Sequence, residues 1–106
     1  MSVGSPGGST IITSVLQTIL NVSEYNLSMQ QAVNAPRFHH QWLPDLITFE
    51  PNTFGSKTYE TLKGKGYLIS EKTTPVIGKV DAILVLPTGV LEAGADFRGD
   101  DKAAGF

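Results

Sequence analysis

The chain contains no cysteine. It can therefore build neither a disulfide framework nor a thiolate metal site, and its redox compartment is left open. No apolar run approaches the roughly 20 residues that span a bilayer. Met1-Ser2-Val3-Gly4 has neither the basic nor the apolar region of a signal peptide. No membrane contact is expected from this segment. Basic residues are few, eight Lys and Arg against ten Asp and Glu, with both signs interspersed and a net charge of −2. No basic stripe exists to follow a phosphate backbone, and a single Trp with a few scattered aromatics gives little for bases to stack on. Nucleic acid is therefore not an expected partner. Internal repeats and low-complexity tracts are also missing.

What remains is an ordinary globular composition, 41% hydrophobic and 17% charged over 106 residues. That length gives one domain at most, burying about 60–70% of its unfolded surface if compact. The most informative stretch is Gly4-Ser5-Pro6-Gly7-Gly8-Ser9-Thr10 followed by Ile11-Ile12-Thr13-Ser14-Val15-Leu16-Gln17-Thr18-Ile19-Leu20. A glycine-rich turn runs straight into an amphipathic helix. Ile11, Ile12, Val15, Leu16, Ile19 and Leu20 fall in pairs one turn apart and define a single apolar stripe, expected to face inward. Ser9 is the expected N-cap, with Gly7 and Gly8 just ahead of the helix. Glycine amides at a helix N-terminus suit negative charge, either a bound anion or the oxyanion of a transition state. Many helices also begin after Gly-Ser only because the chain must bend.

Further along, the first helix is expected to end near Ser23-Glu24-Tyr25-Asn26. Ser28-Met29-Gln30-Gln31 has the spacing of a capping box and opens a short second helix that Pro36 ends. Phe38 to Pro44 reads as an aromatic, histidine-rich linker anchored by Trp42. Leu46–Glu50 reads as a strand, Ser56 to about Lys65 as a third helix stopped by Gly66, and Tyr67–Glu71 as another strand. Val80–Leu86, the turn Pro87-Thr88-Gly89 and Val90–Ala93 form a hairpin. Helices followed by strands place the chain in the α+β class.

Few other groups carry chemistry. His39-His40 with Asp45 lacks a third ligand at workable spacing, so no metal is expected. The imidazoles are expected to serve backbone groups instead. Asp96, Arg98, Asp100 and Asp101 lie in a glycine-rich tail where solvation is the expected fate, with a structural rather than catalytic role. The hydroxyls of Ser9, Thr10, Thr13 and Ser14 have no evident base and make poor nucleophiles.

The glycine turn with Ile11-Ile12-Thr13, the run Ala32-Val33-Asn34-Ala35-Pro36-Arg37-Phe38-His39-His40-Gln41-Trp42-Leu43-Pro44-Asp45, and the endings Gly94-Ala95-Asp96-Phe97-Arg98 and Ala104-Gly105-Phe106 share one resemblance. Together they resemble the C-terminal part of the small subunit of gamma-glutamyltranspeptidases, from about residue 4 onward. The resemblance implies a partial N-terminal-nucleophile hydrolase αββα sandwich, with residues 1–106 a single excised fragment. It implies transfer of the γ-glutamyl group of glutathione and related amides to water or amino acids, without a cofactor. Gly7 and Gly8 match the family's oxyanion-hole pair. The threonine nucleophile, freed by self-cleavage, would lie upstream, so the fragment alone is expected to be inactive. The remainder of the small subunit and the large subunit are its implied partners, and a periplasmic or extracellular setting its implied location. Many family members carry Asp-Pro-Arg near the C-terminus, whereas Phe97 takes the proline position in this chain.

Two other readings use the same turn. One is a non-catalytic anion- or phosphate-binding module. Against it, no Lys follows the glycines as in a P-loop, and no strand is expected ahead of them as in a dinucleotide-binding unit. The other is a structural interaction domain whose turn has no ligand. Titration with phosphate or a nucleotide, read at the Gly7 and Gly8 amides, separates the first from the second and from the family reading.

Overall fold

The structure, a computed structural model, describes residues 1–106. In chain order the elements are β1 (Ser2–Gly4), a 3-10 turn (Gly8–Thr10), α1 (Ile11–Ser23), α2 (Met29–Asn34), β2 (Phe38–His39), β3 (Thr48–Phe49), α3 (Ser56–Gly64), β4 (Asp81–Val85) and β5 (Leu91–Gly94). They fall into two compact units, Met1–Ala35 with Gly78–Phe106, and Pro36–Ile77.

The first unit is a three-stranded antiparallel sheet in the order β1-β4-β5, carrying α1 and α2. The expected hairpin is present: Val85 pairs with Leu91, and Ala82 with Gly94. β1, which the sequence did not announce, pairs with β4 through Val3 and Ala82. Its presence removes the missing-strand objection to a dinucleotide-binding turn. The sheet is antiparallel, however, and a parallel βαβ unit is what that fold requires.

Six-residue α2 is far below the length that is stable by itself in water. Its Ser28 and Gln31 form the capping box expected from their spacing, the Gln31 N–H donating to Ser28 Oγ and the Ser28 N–H to Gln31 Oε1. The rest of its support comes from β5 and the segment behind it. The Glu92 carboxylate accepts from the Met29 N–H, placing negative charge at the helix start. Gln30 exchanges two hydrogen bonds with the backbone of Ala95, 2.8 and 3.1 Å. At the far end Arg98 donates to the carbonyls of Val33 and Ala35, both at 3.1 Å. Gly94 permits this closeness, because a Cβ there would sit 2.8 Å from the Met29 carbonyl oxygen and from a Val33 methyl. Met29, Ala32 and Val33 consequently form the core with Val80 and Ala82.

Asp96 and Arg98 are not solvated as expected. Their side chains are 0% and 3% exposed and paired at 2.9 Å. The other Asp96 oxygen accepts from the Val80 N–H at 2.7 Å, so one carboxylate joins the entry of β4 to the cap of α2. Asp96 and Arg98 thus tie the helix to the sheet. Asp100 and Asp101 do stay exposed. Phe97 is 69% exposed under the Arg98 guanidinium, 4.4 Å from its ring centre.

The polarity of α1 is inverted relative to expectation. Ser14 and Thr18 are the fully buried positions, while Ile12 is 78% and Leu16 51% exposed, with Ile11, Ile19 and Leu20 also outward. Small residues one turn apart let the helix approach the sheet layer closely, and Thr18 Oγ1 returns its proton to the Ser14 carbonyl at 2.9 Å. The outer face of the sheet likewise exposes Ile83, Val85 and Leu91.

In the second unit, β2 pairs with β3 through Phe38–Phe49 and His39–Thr48. The strand expected over Leu46–Glu50 shrinks to Thr48–Phe49, and Tyr67–Glu71 contributes only a single Ile47–Ile69 bridge. α3 matches its expected span and ends in Lys65 and a Gly66 with φ 90°. Buried Glu50 closes the unit: its carboxylate accepts from the N–H groups of Arg37 (2.9 Å) and Ile77 (2.7 Å). Arg37 in turn donates to the Ile77 carbonyl at 3.0 Å.

The Asp96–Arg98 pair generates a stability test. Arg98→Ala leaves a buried carboxylate without its cation and two helix-end carbonyls without their donor, which should cost about 3–5 kcal/mol. Arg98→Lys cannot reproduce the planar fork and should recover less than half. Urea unfolding followed by circular dichroism measures both; a loss below about 1 kcal/mol for Arg98→Ala would contradict the cap.

Candidate active site

β1 delivers the chain to Gly4, and Pro6 with its fixed φ turns it outward. Gly7 then takes φ 132° and Gly8 φ 59°, both in territory that side chains disfavour. The Gly7 position is the more demanding. A Cβ there would lie 2.6 Å from Thr10 Oγ1, whereas one on Gly8 meets nothing within 4 Å.

These angles have a consequence for the backbone donors. The Gly7 carbonyl is taken by both the Thr10 N–H (3.2 Å) and the Thr10 hydroxyl (2.9 Å). Neither the Gly7 nor the Gly8 N–H donates to any acceptor within the chain, and both residues are exposed. Two adjacent peptide donors thus stand open at the head of a 13-residue helix, where the helix dipole adds positive potential. Ser9 does not cap it. The first α-helical turn is preceded by the 3-10 turn, the N-cap position falls on Thr10, and neither makes a side-chain cap bond. Satisfying the amides with a serine oxygen would have closed the site; the structure leaves them available.

Three of the nearby hydroxyls are engaged with backbone carbonyls. Thr10 bonds back to Gly7, Thr13 to the Thr10 carbonyl at 3.1 Å, and Ser5 to the Pro6 carbonyl at 2.7 Å. Neither Ser5 nor Thr10 is bonded to a base. Both histidines belong to the other unit, and each has a side-chain partner there. His39 Nε2 lies 3.0 Å from Gln41 Oε1 and His40 Nε2 2.8 Å from Asp45 Oδ1. Trp42, expected to anchor its segment, is instead 84% exposed. Open donors in this arrangement can stabilise charge on a reacting oxygen.

The gamma-glutamyltranspeptidase family model matches residues 1–106. The chain belongs to the gamma-glutamyltranspeptidase family. It is 45% identical over 104 residues to the glutathione hydrolase proenzyme of Escherichia coli strain K12, a match covering 97% of this chain and 17% of that protein. Among solved structures it superposes on an acivicin-inhibited gamma-glutamyltranspeptidase with a TM-score of 0.84 and 48% identity, over 93% of this chain and 53% of that one. The gamma-glutamyltranspeptidase of Pseudomonas nitroreducens complexed with L-DON gives 0.83 and 35%, over 98% and 54%. The fold is accordingly part of the N-terminal-nucleophile hydrolase sandwich, as the resemblance implied. The chain spans about a sixth of the curated relative and about half of each solved chain.

Gly7 and Gly8 were legible from the sequence as a pair. Ser5 and Thr10, whose hydroxyls hold the turn, were not singled out for that role; their only signal is a hydroxyl residue on each side of the glycines. The backbone geometry makes the two glycines unequal. Gly8→Ala should cost about 1–2 kcal/mol, the penalty of a left-handed residue. Gly7→Ala should cost about 2–3 kcal/mol, because its φ is nearly glycine-only and the new methyl expels the Thr10 hydroxyl. Unfolding midpoints of the two variants test this, and the reverse order would contradict the turn geometry.

Proposed function

We propose that this chain is the C-terminal portion of the small subunit of a glutathione hydrolase or gamma-glutamyltransferase, and that the Gly7 and Gly8 N–H groups form its oxyanion hole. The observation that carries this is the pair of open donors at the start of α1, in a member of an acyl-transferring family. In the reaction, the hydroxyl of an N-terminal threonine outside this chain attacks the γ-carbonyl of glutathione or a related amide, and its own amine takes the proton. The carbonyl oxygen becomes an alkoxide, to which Gly7 and Gly8 donate. Collapse expels the substrate's amine, which takes the proton held by the threonine's amine, and leaves a γ-glutamyl ester that water or an amino acid then opens through a second alkoxide. Each donor is worth about 3–4 kcal/mol when it meets the charge only in the transition state.

The two exposed apolar surfaces fit the same proposal. Helices cover one face of the sheet, while Ile83, Val85 and Leu91 stand bare on the other. In an αββα sandwich that bare face receives the second sheet. The outward Ile12, Leu16, Ile19 and Leu20 of α1 form a second surface for the rest of the small subunit or the large subunit. The complete enzyme is proposed to work in the periplasm or outside the cell.

The chain alone should not hydrolyse a chromogenic γ-glutamyl anilide, and turnover that survives repurification would overturn the placement of the nucleophile elsewhere. In the matured full-length enzyme, Gly8→Val should slow acylation by about 100-fold or more. Near-normal acylation by that variant would reduce the glycine pair to a helix start.

A further inference from the structure

The direction of a peptide N–H is set by whatever holds the carbonyl of the same planar unit, since the two point opposite ways across a trans bond. The Gly7 N–H shares its plane with the Pro6 carbonyl, and the Gly8 N–H with the Gly7 carbonyl. Both carbonyls are held by side-chain hydroxyls. Ser5 Oγ donates to the Pro6 carbonyl at 2.7 Å while accepting the Lys79 N–H at 3.2 Å. Thr10 Oγ1 donates to the Gly7 carbonyl at 2.9 Å beside its own N–H at 3.2 Å.

The Lys79 contact depends on the residue before it. Gly78 has φ 68°, and a Cβ there would meet Ser14 Oγ at 2.4 Å, Ser14 Cβ at 3.0 Å and Ser5 Oγ at 3.0 Å. Ser14 is fully buried on α1, its hydroxyl without a partner. A bare backbone at Gly78 therefore fills the space between α1 and Ser5, and brings the Lys79 N–H onto the Ser5 hydroxyl. The glycine turn is braced from behind by the approach to β4 and from its own helix by Thr10.

We propose that Ser5 and Thr10 are positioning residues that fix the two peptide planes of the turn, so that both glycine amides face the reacting carbonyl oxygen. This rests on the oxyanion reading of Gly7 and Gly8. A plane free to rotate would spend part of its time presenting a carbonyl oxygen to a developing negative charge, which repels it. The loss would fall on the transition state and not on substrate binding.

The test uses the full-length enzyme carrying Ser5→Ala, Thr10→Val or Thr10→Ser, with Gly8→Val alongside. Ser5→Ala and Thr10→Val should each lower kcat about 10-fold, less than loss of a donor itself, with KM within about 3-fold. Thr10→Ser keeps the hydroxyl and should stay near the parent rate. If Ser5→Ala and Thr10→Val keep kcat within 2-fold while Gly8→Val is impaired, the positioning role is wrong and the oxyanion hole stands. Equal losses in KM and kcat with a lowered Tm would mark a merely structural role and also overturn it. Should Gly8→Val acylate normally, the oxyanion reading fails first. A variant that does not self-cleave is to be crystallised as the proenzyme; the proposal then requires a rotated Pro6–Gly7 or Gly7–Gly8 plane, and unrotated planes overturn it.

Discussion

A helix of six residues cannot hold itself in water, and α2 persists because β5 and the segment behind it supply what its ends lack. Glu92 meets its first amide, Gln30 ties its flank to Ala95, and Arg98 covers its last carbonyls. Asp96 neutralises Arg98 and at the same time takes the Val80 N–H where the chain enters β4. Sheet and helix are therefore fixed to each other in part by the charge-assisted bonds of the buried Asp96 and Arg98, which is also where the unit is most easily broken. The core of Met29, Ala32, Val33, Val80 and Ala82 fills the space this leaves.

From α2 the constraint passes to the site. Asn21 donates to the Ala32 carbonyl at 3.3 Å, and Val22 packs on the core, so α1 is set by α2. α1 begins at the glycine turn, and its Ser14 lies against Gly78 at the approach to β4. The strand, the turn and the helix around the two amides are each anchored to an element of the same unit. Backbone donors are suited to such a task, because their orientation is inherited from the fold and needs no reorganisation during reaction.

Elements governed by local chemistry were legible in the sequence. The capping box at Ser28, the hairpin around Pro87-Thr88-Gly89, α3 up to Gly66 and the glycine pair all follow from short-range rules. What depends on distant partners was not. Val3 says nothing of a strand until β4 lies beside it, and Asp96 and Arg98 read as a solvated tail because their burial is created by α2 and Val80. The inward face of α1 differs from its apolar stripe for a sharper reason. Periodicity reports that a stripe is apolar, not which neighbour covers it. Here the small polar face meets the sheet layer, and the apolar stripe points outward. Within a larger sandwich a helix can be covered on both sides, so its stripe need not mark the core of its own unit.

The central claim is that two backbone amides at one turn receive the charge of the reaction. The direct measurement is a high-resolution structure of the complete enzyme with a tetrahedral adduct on its threonine. The Gly7 and Gly8 nitrogens should both stand about 2.7–3.1 Å from the adduct's oxygen, with the Pro6 and Gly7 carbonyls turned away from it. An adduct oxygen held by other groups, with either glycine nitrogen beyond about 3.5 Å, would contradict the claim.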